Sequence, residues 1–221
     1  MKIGIIGAGH IGGTLTRRLA ELGHDVSVAN SQSPDTLHDL AAESGAHAVW
    51  ARDAVRSAEL VVVTIPEAHV PEVAGLFDDV ADDVVVVDTG NYYPQRDGRI
   101  EAIERGTPES QWVSEQLGRP VIKAFNNIRA LHVMELGRSR GDAGRIALPV
   151  AGDDPAGKKM VMQLVDELGF DPVDAGTLAD SWKQQPGTPV YATDLDAGGV
   201  REALASASRE RPAEFRAPAS R

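Results

Sequence analysis

The sequence predicts an α/β fold in which helices cover both faces of a doubly wound, mainly parallel sheet. Short apolar runs alternate with amphipathic helical stretches along most of the chain, and a glycine-rich turn joins the first run to the first helix. Two runs are nearly unbroken stretches of valine, which is typical of parallel strands buried on both faces. Together these observations predict strands and helices that alternate around one sheet.

The elements follow one another in a regular order. "KIGIIGAGHIGG" indicates a strand, a glycine turn and the start of a helix, which Gly23 ends. A Ser-Pro-Asp sequence starts the second helix. We predict strands at residues 3–6, 25–30, 46–50, 59–66, 82–91, 119–125, 145–152 and 170–176. We predict helices at residues 14–23, 35–45, 100–106, 111–118, 154–169 and 198–210.

The composition excludes several classes of protein. The chain has 221 residues, of which 33 are acidic and 22 basic, and its formal net charge is −11. This charge argues against nucleic acid or a membrane surface as a partner. Cysteine is absent, so disulfides and thiolate metal sites are excluded. No stretch approaches the ~20 apolar residues of a membrane span, and we expect a cytoplasmic protein.

The sequence contains no familiar set of catalytic or metal-binding side chains. The six histidines show no i, i+4 pairing, so we expect no metal site. A GxSxG turn and a Cys–His pair are also absent. Chemistry supplied by a bound cofactor is therefore favoured over acid–base or nucleophilic catalysis by side chains.

The first strand leads into the motif Gly7-Ala8-Gly9-His10-Ile11-Gly12. A lone GxGxxG motif is weak evidence, but here a strand precedes it and a helix follows. Gly7 permits the tight turn, Gly9 lets the backbone approach a pyrophosphate, and Gly12 lets the helix lie close to the strand. The helix N-terminus then offers amides and a positive dipole to the phosphates. The motif predicts a Rossmann-type dinucleotide-binding fold.

The end of the second strand bears on which dinucleotide binds. An NAD site usually has Asp or Glu here, which binds the ribose 2′-hydroxyl. This chain has Asn30, Ser31 and Gln32, which bring no carboxylate to repel a 2′-phosphate. No arginine stands in the stretch to attract one, so NADP is favoured and NAD stays open. An N-cap cluster that includes Ser33 is the alternative interpretation.

The fourth strand supplies a second group of candidate cofactor contacts. In open α/β sheets, ligands lie beyond the carboxyl ends of the strands. Thr64, Ile65, Pro66 and His69 follow the fourth strand and are expected to line the cofactor near its riboses. For His69, a histidine at a helix start that bonds to backbone or solvent is an equally good interpretation.

"VIKAFNNI", residues 121–128, ends a buried strand with two amides. Ala124 is small enough to let a ring approach the backbone. Asn126 and Asn127 are neutral and both donate and accept hydrogen bonds, so they suit the nicotinamide carboxamide or an acceptor ring and are expected to position the hydride site. Asn91, which ends the valine-rich strand, is expected to contact the cofactor too. A pair of turn-forming asparagines is the alternative, and Lys123 is expected to pair with a carboxylate.

Four stretches together resemble a known family: "GAGHIGG", "TIP", "KAFN" and "VAGDDPAGKKMVMQLVDELGFDPVDAGTLADSW". They are similar to the NADP oxidoreductase family of the coenzyme F420-dependent NADP reductases. "VIKAFNNI" and "GFDPVDAGTLADSW" also resemble the cytosolic domain of the six-transmembrane metalloreductases, which passes electrons from NADPH to a flavin. The resemblance covers residues 1–183. It implies an oxidoreductase whose hydride moves between NADP(H) and a flavin or a deazaflavin such as F420.

Two departures from the family concern specificity. Members often have Arg after the serine at the end of strand two, where this chain has Gln32. The F420 reductases also end in a long apolar helical segment that contacts the deazaflavin, whereas this chain has "KQQPGTPVYATD". The acceptor therefore stays open between a flavin and a deazaflavin.

The resemblance and the patterns predict the organisation of the chain. Residues 1–183 are expected to form the dinucleotide-binding oxidoreductase domain, in which a late βαβ segment extends the sheet. Residues 184–221 are expected to form an extension that packs on or near the active-site cleft and ends in a flexible polar tail. The expected partner is a small-molecule electron acceptor, with no nucleic acid and no membrane, and a homodimer is left open.

Two other functions are alternatives to hydride transfer between NADP(H) and a flavin or deazaflavin. A β-hydroxyacid-type dehydrogenase uses a Lys and an Asn on a helix, and Lys123 and Asn127 have i, i+4 spacing, although the sequence around them favours a strand. A non-catalytic NADP-binding module is the other alternative.

A basic loop at residues 137–145 is the last candidate feature. Arg138, Arg140 and Arg145 lie close together there, on a stretch that contains glycine. They would reach the phosphate of an incoming flavin, although a solvated mobile loop is the favoured interpretation.

Overall fold

A computed structural model describes residues 1–218. A six-stranded parallel sheet has the strand order β3-β2-β1-β4-β5-β6. The strands are β1 (Lys2–Ile6), β2 (Asp25–Ala29), β3 (His47–Ala48), β4 (Leu60–Val63), β5 (Val85–Asp88), β6 (Ile122–Lys123), β7 (Ala147–Val150) and β8 (Asp171–Asp174). The helices are α1 (His10–Glu21), α2 (His38–Ser44), α3 (Ala51–Arg56), α4 (Val70–Val73), α5 (Pro94–Asp97), α6 (Glu101–Glu104), α7 (Glu109–Leu117), α8 (Ala130–Glu135), α9 (Pro155–Glu167) and α10 (Ala197–Ala205). The predicted fold class is confirmed.

Strand β1 lies at the centre of the sheet and pairs on both sides. Ile3 of β1 is in register with Val26 of β2 and with Leu60 of β4. The chain therefore runs outward from β1 in one direction through β2 and β3, and in the other through β4, β5 and β6. The order reverses between β1 and β4, and in this architecture the crevice outside the carboxyl ends of the strands at that point holds the ligand.

The sheet separates two hydrophobic layers. Successive residues of a strand point to opposite faces, so Leu60 and Val62 pack in one layer while Val61 and Val63 pack in the other. All four are at least 98% buried. The valine-rich strands are therefore covered on both faces, as their composition predicts.

The late βαβ segment forms a small sheet of its own. β7 and β8 pair in parallel, with α9 between them in the chain. This two-stranded sheet meets β6 through a single antiparallel bridge between Lys123 and Ala151. The predicted extension of the main sheet thus takes the form of one bridge, because β6 offers only two residues for pairing.

Four short helices lie outside the predicted helical ranges: α3, α4, α5 and α8. The longest of them has six residues, which is less than two turns and too short to show a helical period of apolar residues. Among residues 1–218 no helix has the length and apolar composition needed to cross a membrane.

The C-terminal tail forms hydrogen bonds with the domain over its described residues. Gln95 Nε2 donates to the carbonyl of Glu214 over 2.8 Å, and the amide of Ala217 donates to Glu104 Oε1 over 2.8 Å. Arg211 forms an ion pair with Glu109 at 2.8 Å. The tail is therefore packed against the domain as far as residue 218, and residues 219–221 lie outside the described residues.

Candidate functional site

The glycine turn after β1 lies where the strand order reverses. Gly7 has φ of +104°, and a Cβ at this position would lie 2.6 Å from the carbonyl oxygen of Thr64. A Cβ on Gly12 would lie 1.9 Å from the carbonyl oxygen of Gly7. Thr64 Oγ1 donates to that same Gly7 oxygen over 2.8 Å. Glycine is therefore required at both positions, and the threonine hydroxyl holds the turn against the end of β4.

Gly9 is in a different position, because its Cα faces open space. A Cβ there would meet no atom within 4 Å. Gly9 is the N-cap residue of α1, and no side chain accepts a hydrogen bond from the amides of the first turn. Ala8 and Ile11 are half-buried on either side, and His10 is exposed. The turn therefore offers space and uncapped amides, which fits a phosphate group at the helix N-terminus.

The loop after β2 is shaped by Asn30. Its Nδ2 donates to Thr36 Oγ1 over 2.9 Å, and its Oδ1 accepts from the Gln32 amide over 2.8 Å. Ser33 Oγ accepts from the Asp35 amide over 3.3 Å, as expected of an N-cap. The Asn30 amide group therefore fixes the loop, whereas Ser31 and Gln32 are exposed at the carboxyl end of β2.

The residues after β4 divide into two groups. Thr64, Ile65 and Pro66 are half-buried next to the glycine turn. His69 is exposed, and its Nδ1 lies 2.9 Å from Glu72 Oε1 on the same turn. The structure therefore fits the second interpretation of His69, a helix-start histidine bonded to a surface partner.

Asn126, which is predicted to contact the cofactor and to position the hydride site, uses its amide in hydrogen bonds inside the protein. Its Nδ2 donates to the carbonyl of Gln184 over 2.6 Å and to Asn91 Oδ1 over 3.0 Å. Its Oδ1 accepts from Gln184 Nε2 over 3.1 Å, and Asn91 Nδ2 donates to the Asn126 carbonyl over 2.8 Å. Both N–H donors of Asn126 are occupied, so Asn91 and Asn126 act first as a link between loops.

Asn127 has the opposite character. It is 1% exposed, and neither Nδ2 nor Oδ1 has a hydrogen-bond partner among residues 1–218. An unpaired buried amide is costly, and such groups in native proteins call for an explanation. Its backbone carbonyl accepts from the Ala192 amide over 2.9 Å.

Backbone strain accompanies this contact. Phe125 has φ of +62° and Ala192 has φ of +55°, and they are the non-glycine residues with positive φ among residues 1–218. Side chains with a Cβ rarely adopt this conformation, and such strain concentrates at functional sites. Ala124 and Phe125 are fully buried. The loop after β6 is thus held in an unusual conformation by the segment that packs on it.

That segment is the first part of the C-terminal extension. Gln184 and Ala192 bond to Asn126 and Asn127 as described, and the Tyr191 hydroxyl forms a hydrogen bond with the Tyr93 hydroxyl. Burial, and then the bond to Tyr191, raise the pKa of Tyr93 above its usual value. Residues 184–192 therefore lie across the loops that follow β5 and β6.

A cluster of charged side chains is buried below these loops. Lys123 Nζ donates to Asp88 Oδ2 over 3.0 Å and to the carbonyl of Gly90 over 2.6 Å, and Ser110 Oγ donates to Asp88 Oδ2 over 2.7 Å. Burial alone would lower the pKa of Lys123, but Asp88, Glu67 and other carboxylates outweigh it, and the pKa lies above its usual value. The predicted pairing of Lys123 with a carboxylate is found.

Glu67 belongs to the same cluster but has no ion-pair partner in the described chain. It is fully buried, and neither of its carboxylate oxygens has a hydrogen-bond partner among residues 1–218. Its Oε1 lies over the backbone of Gly90, where a Cβ would approach within 2.5 Å. Burial, and then the charge of Asp88, raise the pKa of Glu67 well above its ordinary value. Both effects favour the neutral form of the carboxyl, and the charge of Lys123 opposes them.

Glu109 completes the cluster. Its Oε2 accepts from the Tyr92 amide over 3.2 Å and its Oε1 from Arg211 Nη2 over 2.8 Å. Burial raises the pKa of Glu109, and Arg211 opposes that rise without cancelling it. The ion pairs Asp88–Lys123 and Glu109–Arg211 thus each match one buried carboxylate with one cation.

The basic loop at residues 137–145 does not present a set of free arginines. Arg145 is 4% exposed and pairs with Asp166 at 2.9 Å and with Asp171 at 2.5 Å. Arg140 pairs with Asp166 as well, and this hydrogen bond lowers the pKa of Asp166. Arg145 therefore fastens the loop to α9 and β8 instead of reaching an acceptor.

Four residues of this region were not predicted: Glu67, Glu109, Gln184 and Arg211. One signal was available, because Glu67 follows the apolar strand β4, Asp88 ends β5, and the carboxyl ends of parallel strands meet at one edge. The pairs Gln184–Asn126 and Arg211–Glu109 join residues 58 and 102 positions apart, which no local pattern reveals. Among residues 1–218 no cluster of three or more His, Cys, Asp or Glu side chains is arranged to hold a metal ion.

The chain is similar to several known proteins. Residues 2–92 match a family model described as NADP oxidoreductase, coenzyme F420-dependent. The chain is 30% identical over 180 residues to the metalloreductase STEAP3 of Rattus norvegicus. The aligned region covers 81% of this chain and 35% of that protein. The chain spans half or less of the length of the curated relatives it matches.

Two crystal structures share the fold over most of their length. A hypothetical protein, SMa0349 from Sinorhizobium meliloti, superposes with a TM-score of 0.75 at 30% identity, covering 88% of this chain and 95% of that one. A candidate F420-dependent NADP reductase from Arthrobacter sp. FB24 superposes with a TM-score of 0.67 at 25% identity, covering 82% and 87%.

Proposed function

We propose that this chain is a member of the NADP oxidoreductase family described as coenzyme F420-dependent, whose model matches residues 2–92, and that it transfers a hydride between NADP(H) and a flavin or F420-type deazaflavin. The observation that carries the proposal is the open Gly9 turn and uncapped α1 N-terminus at the point where the strand order reverses. The similarity to a candidate F420-dependent NADP reductase and to a metalloreductase supports this class of reaction.

In this proposal the dinucleotide lies across the carboxyl ends of the strands, with one half over each half of the sheet. The pyrophosphate lies against the amides at the start of α1, with Gly7 and Gly12 keeping the turn tight. The adenosine half extends toward Ser31 and Gln32 at the end of β2. The nicotinamide half extends toward the loops that follow β4, β5 and β6. The cofactor and acceptor supply the hydride chemistry, and the protein aligns the two rings and excludes water.

Asn127 is the residue we assign to positioning near the nicotinamide. Both donors of Asn126 are occupied by Gln184 and Asn91, whereas the Asn127 amide has no partner among the described residues. A neutral amide can donate to and accept from a carboxamide without adding charge next to the transferred hydride. We therefore assign the positioning of the nicotinamide to Asn127 alone, and not to Asn126 and Asn127 together.

The geometry does not support the alternative hypothesis of a β-hydroxyacid-type dehydrogenase. It needs Lys123 and Asn127 on one helix, but Lys123 lies in β6 and is fully buried against Asp88. A reacting lysine must reach the substrate, which this side chain does not. The non-catalytic module stays as the alternative that activity measurements decide.

A turnover screen tests the proposal. NADPH and NADH are each combined with F420, FMN, FAD, ferric chelates and small imines or ketones, and the loss of reduced-nicotinamide absorbance is followed. We expect oxidation of NADPH with a flavin or deazaflavin and slower oxidation of NADH. Tight NADPH binding without turnover of any acceptor would support the non-catalytic module instead.

Cofactor choice is tested at the exposed part of the β2 loop. Ser31→Asp should place a carboxylate against the 2′-phosphate and weaken NADPH by roughly tenfold or more, the size of one lost charge-assisted contact. Gln32→Arg should tighten NADPH by adding a guanidinium. Titration of NADPH and NADH with both variants checks this, and unchanged ratios of the two dissociation constants would show that the 2′ site lies elsewhere.

A further inference from the structure

A second cleft lies outside the dinucleotide site. It has a volume of about 520 Å³ and is lined by residues from three stretches: 103–107, 182–188 and 208–216. We call it the arginine pocket. None of its lining residues belongs to the loops after β1, β2 or β4 that the dinucleotide uses. Its volume is in the range of small-molecule sites, roughly 300–1,000 Å³, and is far larger than a single inorganic anion needs.

The pocket is basic in a chain that is acidic overall. Four arginines line it, Arg105, Arg209, Arg211 and Arg216, against two glutamates, Glu104 and Glu210. The chain as a whole carries a formal charge of −11. A concave surface of opposite sign to the rest of the molecule concentrates anions.

The hydrogen-bonding groups that line the pocket are mainly donors. Trp182 Nε1 and Gln185 Nε2 are buried, and neither has a hydrogen-bond partner among residues 1–218. Gln185 is 92% buried, since its exposure is 8%. Arg209 lies over the Trp182 ring, with its guanidinium carbon 4.8 Å from the ring centroid. These donors approach from different chain segments, which suits a tetrahedral phosphate better than a planar carboxylate.

The acceptors of the pocket are largely occupied. Glu104 Oε1 accepts from the Tyr92 hydroxyl over 2.9 Å and from the Ala217 amide over 2.8 Å. Glu210 has a side chain that is 82% exposed and lies 3.7 Å from Arg216. Little negative charge is therefore directed into the pocket to oppose an anion.

The pocket is joined to the proposed acceptor side of the site by two residues. Gln185 follows Gln184, which bonds to Asn126 in the loop after β6. Arg211 lies over the ring of Tyr92, at 5.3 Å from its centroid, and Tyr92 follows Asn91. A molecule whose ring lies against the loops after β5 and β6 would have its side arm directed toward this pocket.

We propose that the arginine pocket binds the phosphate-bearing arm of the electron acceptor, which makes the protein selective for phosphorylated flavins or deazaflavins. This inference rests on the proposed function for the identity of the acceptor ring. The phosphate contacts come from Arg209, Arg216, the Trp182 indole N–H and the Gln185 amide. Arg211 keeps its ion pair with Glu109.

Matched ligands separate the phosphate from the ring. FMN and riboflavin share the isoalloxazine ring and differ in the phosphate, and F420 and its phosphate-free deazaflavin fragment form a second such pair. Binding is measured without NADPH by calorimetry and by tryptophan fluorescence, with Trp182→Phe identifying the signal of the pocket. We expect the phosphorylated member of at least one pair to bind roughly tenfold or more tightly. Inorganic phosphate should compete with FMN and leave riboflavin binding unchanged.

Two double variants with equal loss of charge complete the test. Arg209→Ala/Arg216→Ala removes two pocket arginines, whereas Arg56→Ala/Arg201→Ala removes two exposed arginines elsewhere. Only the first should abolish the preference for the phosphorylated ligand, and the NADPH dissociation constant should stay unchanged in both. Melting temperatures verify folding, and Arg209→Ala alone serves if the pocket double variant is unstable.

The outcomes distinguish this inference from the proposed function. Equal binding of both members in both pairs, or equal effects of the two double variants, would overturn the pocket assignment even if NADPH oxidation is observed. Phosphate-selective binding that depends on Arg209 and Arg216, without turnover of any acceptor, would support the pocket and overturn the proposed hydride transfer.

Discussion

Single residues at this site are constrained by what a Cβ or a charge would meet. Gly9 and Gly12 belong to one motif, yet the first faces open space and the second touches the backbone of Gly7. Glu67 is buried without a partner in the described chain, and its pKa is raised by burial and by Asp88. Each residue therefore makes a separate prediction about binding or stability.

Gly12→Ala should lower the stability of the protein, whereas Gly9→Ala should lower its affinity for NADPH. A Cβ at Gly12 would lie 1.9 Å from the Gly7 oxygen and 2.5 Å from Thr64 Oγ1, so the variant should lose roughly 1–3 kcal/mol of stability. A methyl at Gly9 meets nothing in the protein but would lie where the pyrophosphate is expected. Gly9→Ala should therefore keep its melting temperature and bind NADPH at least about tenfold more weakly. Thermal melts and NADPH titration of both variants decide, and a normal affinity for Gly9→Ala would place the pyrophosphate elsewhere.

Glu67 should make the protein less stable as pH rises. Its folded-state pKa lies above its unfolded value, so the stabilising effect of its protonation is full below about pH 4.5 and is lost as pH rises toward the folded pKa. Within that window the loss approaches about 1.4 kcal/mol per pH unit. Glu67→Gln keeps a neutral side chain of the same shape, so it should flatten this decline and be more stable than the unchanged protein at pH 8.

Urea unfolding between pH 5 and pH 8 measures the effect. Glu109 also has a raised pKa and leaves a residual slope, whereas acidic groups with lowered pKa values, such as Asp166 and Asp180, lose stability only at lower pH. An unchanged pH slope in Glu67→Gln would show that this carboxyl is ionised in the folded protein.

At the scale of elements, the segment 184–192 and the loop after β6 stabilise each other. Gln184 bonds to Asn126 and Ala192 bonds to Asn127, and strained residues stand in both segments. The strain is maintained because the two segments are tied to each other.

Asn126→Ala and Asn127→Ala separate structure from function in this loop. Asn126→Ala leaves buried partners on Gln184 and Asn91 unpaired, so it should cost about 1–3 kcal/mol of stability. Asn127→Ala removes an amide that has no partner among the described residues, so stability should be unchanged or higher. Its kcat/KM should nevertheless fall roughly tenfold or more through misalignment of the rings. Full turnover by Asn127→Ala with every active acceptor would make both asparagines structural.

At the scale of the whole molecule, the C-terminal tail closes on the domain through a buried ion pair. Arg211 and Glu109 are 102 residues apart, and their side chains are 15% and 0% exposed. The tail also covers Tyr92, where burial raises the pKa of the hydroxyl to about 12. Residues 207–218 therefore contribute to the stability of a domain whose sheet is complete without them.

Removing one partner of this pair should be costly. Arg211→Met leaves Glu109 buried without its cation, and the free energy of unfolding should fall by roughly 3–5 kcal/mol. Adding Glu109→Gln should recover part of that loss. Arg105→Met is the control, since Arg105 pairs with Glu101 at the surface with 77% exposure and should change stability by less than about 1 kcal/mol. Denaturant unfolding of the four proteins gives the comparison, and equal effects of Arg211→Met and Arg105→Met would show that the tail is not anchored by this pair.

The regular elements and the glycine turn could be predicted from the sequence because their causes are local. Alternation of apolar runs, the valine strands and the GxGxxG spacing act within a few residues of one another. They sufficed for the parallel sheet and for the position of α1, while the dinucleotide at the N-terminus of α1 stays a prediction. The resemblance of four stretches to a family carried the prediction from a dinucleotide fold to an NADP oxidoreductase.

The tertiary structure alone decided how the polar residues are used. Asn126 and Asn127 are adjacent and chemically identical, yet only the approach of Gln184 distinguishes a bonded amide from an unpaired one. Likewise, the sequence places Arg145 in a glycine-containing loop, where an exposed side chain is expected. In the fold Arg145 is buried and pairs with Asp166 of α9 and Asp171 of β8. Side-chain burial and pairing depend on segments that are far apart in the sequence and adjacent in the fold. A local sequence pattern does not show which of these distant segments come into contact.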